Sequence, residues 1–321
     1  MTLTLRLEDA DPFGLAATPP HQSSARNEST SHLLGMQVAE DLTPSNELAY
    51  FHPIQMETNM TAYFMAPIAA LALLTVPVAA NAENLCQGYG PQTPRDISNT
   101  AGTNTVTAAF APEAATLNLC NLHTHTNAEH KGPGFSVFVD ASDHGGFRCN
   151  ETDTLTEAEL AAPESDAFHG VKPGDTIEVH WVFSSCNVSP GKGLGSCLSD
   201  SCVNPQLRVE AQTFLVVNDS NALDFMDFAY QDNIVNGLHQ PKALPTGTGS
   251  PVTFIGSTTG PSYTQAKCSP FQVTWSVRPQ CAKVDINSLN AWAEAGNIFQ
   301  EDHSHGVRQL VTAEELLAPI N

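Results

Sequence analysis

Residues 117–132 read LNLCNLHTHTNAEHKG and put three histidines and a glutamate within the eight positions from His123 to His130. No other stretch constrains the chain as tightly. Residues 117–125 have a strand-like composition, and on a strand side chains two apart share a face. Leu117, Leu119, Asn121, His123 and His125 are therefore expected along one side. Two imidazoles side by side offer half of a tetrahedral metal site. A second strand reading, residues 175–183 (DTIEVHWVF), sets β-branched and aromatic residues against polar ones. It places Glu178, His180 and Val182 on one face. A carboxylate next to a ligating imidazole fixes its tautomer and raises its basicity. Glu178 suits that task for His180, and Asn121 suits it for His123. His123, His125 and His180 are thus candidate metal ligands.

In order, the pattern is His-x-His on a strand, Glu129-His130 just after it, and Glu-x-His on a later strand. It resembles the active site of α-type carbonic anhydrases, while the cysteine-rich context and the wording NLHTHTNAEHKG are more similar to the δ class. Two flanking segments carry the same resemblance. Residues 88–97, GYGPQTPRDI, are similar to the early Gly…Gln-Ser-Pro-Ile-Asp-Ile segment of the α class. Residues 254–277, FIGSTTGPSYTQAKCSPFQVTWSV, resemble its Gly-Ser-x-Thr-Thr…Cys…Val-x-Trp segment. The resemblance runs from Cys86 to Cys281. It implies a carbonate dehydratase, a lyase, that reversibly hydrates CO2 to bicarbonate through a hydroxide on a zinc ion held by His123, His125 and His180. It assigns Glu129 as acceptor for a threonine hydroxyl that orients the attack, with Thr258 the first candidate and Thr259 the second. Val182 is expected in an apolar wall for CO2. The habit of α-class enzymes of tying the start of the chain to the threonine-rich loop implies a Cys86–Cys268 disulfide.

Other readings stay open. His-x-His, three residues and then Glu, with a distant His, is also how a cupin binds iron or manganese, and Glu129 would then be a ligand itself. The second cupin motif wants Pro-x-Gly with a histidine two residues on, whereas His180 lies six residues after Gly174. An inactive carbonic anhydrase-like binding module is a further reading, although loss of activity usually removes a ligand histidine and all three are present. A cysteine-ligated zinc site is disfavoured because no Cys-x-x-Cys occurs. Among the remaining histidines, His130 is expected to point away from the pair in an extended chain and to be structural. His144, His169, His239, His303 and His305 sit in polar or loop-like surroundings and are expected to be solvated. One of them would suit proton shuttling. Residues 95–121, where the α class keeps its shuttle, contain no histidine. His303-Ser304-His305 repeats the His-x-His spacing in an acidic tail and reads as surface.

The net charge of −21 over 321 residues argues against nucleic acid as a partner. All eight cysteines lie from Cys86 onward, which reads as disulfides in an oxidising compartment, with Cys197 and Cys202 close enough to pair locally. Residues 1–59 show no domain-like pattern and read as an upstream extension. Residues 60–82 carry no charge, have an apolar heart and end Ala80-Asn81-Ala82, which predicts a start at Met60 and a signal peptide cleaved after Ala82. The uncleaved alternative is a membrane anchor. The expected product, residues 83–321, is a periplasmic or secreted catalytic domain. Its fold is expected to be mainly β with few short helices: a single domain on a large central, mostly antiparallel sheet. Strands are expected at 105–110, 117–125, 135–139, 176–184, 206–217, 252–255 and 271–277, and short helices at 155–162, 288–295 and 312–317.

Overall fold

The strand-forming runs assemble into one six-stranded sheet in a computed structural model that describes residues 89–106, 109–258, 268–269 and 271–321. The upstream extension, the signal segment, Cys86 and Thr259 lie outside the described residues. In chain order the strands are β1 (Asn118–Thr126), β2 (Val137–Phe138), β3 (Phe147–Arg148), β4 (Thr176–Ser184), β5 (Leu207–Val217), β6 (Ile234–Val235), β7 (Leu238–His239), β8 (Val252–Ser257), β9 (Gln272–Val277) and β10 (Ala282–Asp285). They are followed by helix α1 (Ile286–Glu294). The sheet runs β1-β4-β5-β9-β8, with β10 following β9 along the same edge of β5. Pairing is antiparallel for β1–β4, β4–β5 and β8–β9, and parallel where β5 meets β9 and β10. β2–β3 and β6–β7 form separate two-stranded ribbons.

Strand β4 is central, and every one of its residues is buried. One face of the sheet packs Leu122, Ile177, Val179, Trp181, Phe183 and Phe214 against Ile286, Leu289 and Trp292 of α1. Each large side chain so buried contributes roughly 1.5–3 kcal/mol. Asp285 caps that helix by accepting from the Asn287 amide. The opposite face packs Val182, Val209, Ala211, Val277 and Trp275 against Phe135, Phe147, Phe254 and Ile97. Histidine and glutamate side chains share this second face, which has to satisfy them.

A β-bulge decides which residues reach it. Leu119 pairs with Phe183 but Asn121 pairs with Val182, so Cys120 is an extra residue in β1. A one-residue slip swaps faces. The expectation that Leu117 and Leu119 share a side with the histidines is therefore corrected: both join the α1-side core, while Asn121, His123 and His125 face the other way.

The disulfides correct a second expectation. Cys197 and Cys202 do not pair with each other; the bonds are Cys120–Cys197, Cys186–Cys202 and Cys149–Cys281. Residues Ser199 and Cys202 close a tight turn by exchanging backbone hydrogen bonds, and Cys197 is buried against the bulge instead. Cys268 is disulfide-bonded.

Several element expectations shift. None of the described residues in 105–110 is strand, and residues 155–162 form turns rather than a helix. The last helix shrinks to a single 3-10 turn, Glu314–Leu316. The short strands β3, β6, β7 and β10 were not legible. After α1 the chain returns beside the free edge of β1. There the Thr126 amide donates to His305 O at 2.7 Å and the His305 amide to Thr124 O at 2.8 Å. This pairing covers an edge that would otherwise be open.

Candidate metal centre

The cross-strand register builds the site. His123 lies opposite His180 and His125 opposite Glu178, so four polar side chains crowd one patch of the sheet. One nitrogen from each of His123, His125 and His180 falls within 4.8 Å of the others, a grouping able to coordinate a metal ion. The closest approach is His123 Nε2 to His180 Nδ1, at 3.3 Å.

The outer ring nitrogens show which atoms these are. His123 Nδ1 lies 2.6 Å from Asn121 Oδ1, and His125 Nδ1 lies 3.0 Å from the Gly306 carbonyl. The carbonyl demands N–H from His125. The Asn121 amide donates through Nδ2 to Gly191 O at 3.0 Å, which fixes its oxygen as an acceptor toward His123. Both rings therefore carry a proton on Nδ1 and a lone pair on Nε2. His180 Nε2 is buried without a completed hydrogen bond, 3.4 Å from Glu178 Oε1. The carboxylate favours the proton there and leaves Nδ1 as the lone pair. Three lone pairs then converge with no donor among them, an arrangement that a cation resolves. The donor set, three neutral imidazoles, suits zinc.

Electrostatics agree with neutral rings. Burial first, then the neighbouring His180, His125 and His305, hold His123 well below its ordinary value. Burial pushes His125 down to about 4, with Glu129 opposing. Burial favours the neutral form of Glu178, but His130 and His180 more than offset it and keep the carboxyl ionised.

Glu178 is held from four directions. Its Oε2 accepts the backbone amides of Glu129 and His130, and its Oε1 lies 3.0 Å from His130 Nδ1 and faces His180. Those amides reach it because the chain turns at Asn127, whose φ of 64° is left-handed, a conformation asparagine tolerates. His130 thus does not point away along an extended chain. It lies buried on the site face, its ring 4.6 Å from that of Trp275.

Glu129 is buried, and the described hydrogen bonds to its carboxylate all come from Arg308: Oε1 accepts from Nε at 2.9 Å and from the backbone amide at 3.1 Å, and Oε2 accepts from Nη2 at 2.9 Å. Burial would raise its carboxyl, but Arg308 holds it well below the usual range. A second grouping, Glu129, His130 and His180, also has ligand atoms within 4.8 Å. In it Arg308 already holds both Glu129 oxygens and Glu178 already holds His130 Nδ1, while His130 Nε2 is buried without a hydrogen-bond partner.

A cavity of about 340 Å³ opens over the histidines. Thr258 lies on its wall with Lys192, Leu194, Trp275 and Phe299. The apolar wall comes from the last three of these; Val182 is buried in the core beneath. The tail supplies His303, His305, Gly306 and Arg308. His303 and His305, expected to be solvated, therefore line the site. His305 Nε2 lies 3.1 Å from buried Glu301, whose hydrogen bond raises its pKa. His239 is likewise bound, 2.8 Å from the Tyr230 hydroxyl. The one signal in the sequence for the tail was the repeated His-x-His spacing, and nothing there said that the tail would pair with β1.

Sheet and site together define a mainly β protein with a histidine cluster able to hold a metal ion at the floor of a cavity. The chain belongs to the δ-class carbonic anhydrase family: the family model described as "Delta carbonic anhydrase" matches residues 114–288. No curated protein and no solved structure matches the chain. The matched span holds all three histidines, Glu129, Glu178 and Thr258, and ends before Glu301, His305, Gly306 and Arg308.

Proposed function

We propose that the protein is a zinc enzyme that reversibly hydrates CO2 to bicarbonate. The observation that carries this reading is the convergence of three imidazole lone pairs at the floor of a cavity, in a member of the δ family. Zinc held by His123, His125 and His180 would supply the Lewis acidity that makes water a nucleophile near neutral pH. The chain's own groups do the rest. Asn121, the Gly306 carbonyl and Glu178 fix the three tautomers so that the ligand nitrogens face the metal. Leu194, Trp275 and Phe299 give CO2 an apolar wall. A carboxylate has about four acceptor positions, of which Arg308 fills three on Glu129. The fourth, on Oε2, is the one we assign to the Thr258 hydroxyl, which would orient the reactants.

Eight cysteines and the apolar segment before Glu83 support export to an oxidising compartment, with residues 83–321 as the working enzyme. The test is stopped-flow CO2 hydration on disulfide-intact protein with zinc counted in the same sample. One zinc per chain with fast hydration supports the reading, and His125→Ala and His180→Ala should each lose both metal and rate. Bound metal without turnover in the parent protein would favour the inactive binding module, and full activity in either histidine variant would sink the ligand assignment.

A further inference from the structure

On the cavity wall, the three-histidine reading leaves the guanidinium of Arg308 without a task. Arg308 lies twenty residues beyond the family-matched span (308 against 288), yet its side chain is 8% exposed and sits on the cavity wall. It clasps Glu129 with two side-chain nitrogens at 2.9 Å and its own backbone amide at 3.1 Å. A guanidinium matched to both carboxylate oxygens is geometrically specific as well as strong. Glu129 Oε1 in turn stands 4.0 Å from His125 Nδ1. That same nitrogen has its hydrogen-bond acceptor, the Gly306 carbonyl, two residues before Arg308.

The tail is thus fastened at two points three residues apart. At His305 it is bound to Thr124 and Thr126 of β1; at Arg308 it is bound to Glu129. Gly306 lies between the two fastenings, the space a Cβ would take there is empty, and a glycine backbone is the most permissive of rotation. Without the second fastening, Gly306 is free to turn its carbonyl from the ring. The Glu129 carboxylate, released and uncompensated, can take that N–H only by drawing the ring out of its present orientation, since Oε1 stands 4.0 Å from Nδ1.

We propose that Arg308 is a positioning residue for the metal centre, acting through Glu129 to hold the Gly306 carbonyl on His125 Nδ1 so that Nε2 is presented to the metal. The proposal rests on the three-histidine reading. It makes the tail a working part of the site, although the family match stops short of it.

The experiment titrates the full, disulfide-intact chain with cobalt(II) alone and records affinity by chelator competition together with the visible absorption of the bound ion. Melting is followed on the same samples. Three variants are compared: Arg308→Lys, Arg308→Gln, and the pair Glu129→Gln with Arg308→Gln. Lysine keeps the charge and loses the fork, and the pair removes both charges, so that no buried carboxylate is left unpaired as it is in Arg308→Gln alone. Partners of ligand imidazoles are typically worth ten- to a hundred-fold in metal affinity. The expected result is a loss of that size in Arg308→Lys and in the pair, with an altered cobalt spectrum and little change in melting. An ion pair that only braces the fold would move melting and leave the spectrum alone. Parent-like affinity and spectrum in folded Arg308→Lys and in the folded pair would overturn the proposal while leaving the metal reading intact. Failure of the parent protein to take cobalt would overturn both.

Discussion

Replacing Glu178 by glutamine keeps its shape and changes which nitrogen of His180 bears the proton. The backbone amides of Glu129 and His130 both donate to Oε2, so an amide in this place must turn its oxygen toward them. Its NH2 group then faces His130 Nδ1 and His180 Nε2, which now stand 3.0 and 3.4 Å from Oε1. A donor there asks His180 Nε2 to accept, and the imidazole proton moves to Nδ1, the atom 3.3 Å from His123 Nε2. The metal must then displace that proton or meet a ring in the wrong tautomer. A ten- to a hundred-fold loss of zinc affinity corresponds to about 1.4–2.7 kcal/mol. Folding should suffer less than in Glu178→Ala, which leaves two buried amides without an acceptor, each costing about 1–3 kcal/mol. Chelator competition measures the affinity, and chemical denaturation separates it from stability. Zinc affinity equal to that of the parent in a folded Glu178→Gln variant would refute the tautomer argument.

The metal-free protein should lose stability as pH falls. His125 has its pKa lowered from 6.5 to about 4 in the folded state, so the unfolded chain takes up the proton first. The stabilisation is complete above pH 6.5 and is lost between pH 6.5 and 4, by about 3 kcal/mol; urea titrations of the zinc-free protein across that range check it, and a flat profile would contradict the burial of a neutral ring. Replacing Cys120 and Cys197 with serine should lower zinc affinity by about ten-fold or more, because Cys120 O accepts from the Gly191 amide at 3.0 Å and Asn121 donates to Gly191 O at 3.0 Å. The Cys186–Cys202 pair replaced in the same way should cost about 2–5 kcal/mol of stability and leave zinc affinity nearly unchanged; equal losses in the two variants would mean that the bulge does not position the site. Thr258→Ala should keep the metal and lose about a hundred-fold in hydration rate, read by stopped flow with zinc counted.

Much of this site could be read before the fold was seen. The His-x-His and Glu-x-His spacings placed four side chains on two strands, and the expected strand at 176–184 coincides with β4. The bulge at Cys120 could not be read, because nothing in LNLCNLH marks which residue is extra, and that one residue moves Leu119 to the other face. The disulfides escaped for a related reason: short separation suggested Cys197–Cys202, whereas the partner of Cys197 is set by the bulge 77 positions earlier. The tail was hidden most completely. Its contacts with Thr124, Thr126 and Glu129 span about 180 positions, and a segment held by backbone hydrogen bonds and a few polar side chains carries no hydrophobic period to announce it.

The central claim is that three particular nitrogens hold the metal, and anomalous diffraction at the zinc edge from crystals of the zinc-loaded protein tests it most directly. The account predicts one strong peak about 2.0–2.1 Å from each of His123 Nε2, His125 Nε2 and His180 Nδ1, with a fourth position left to solvent. A peak bonded to Glu129 or His130 instead, or no peak at this cluster in a crystal that holds zinc elsewhere, would contradict it.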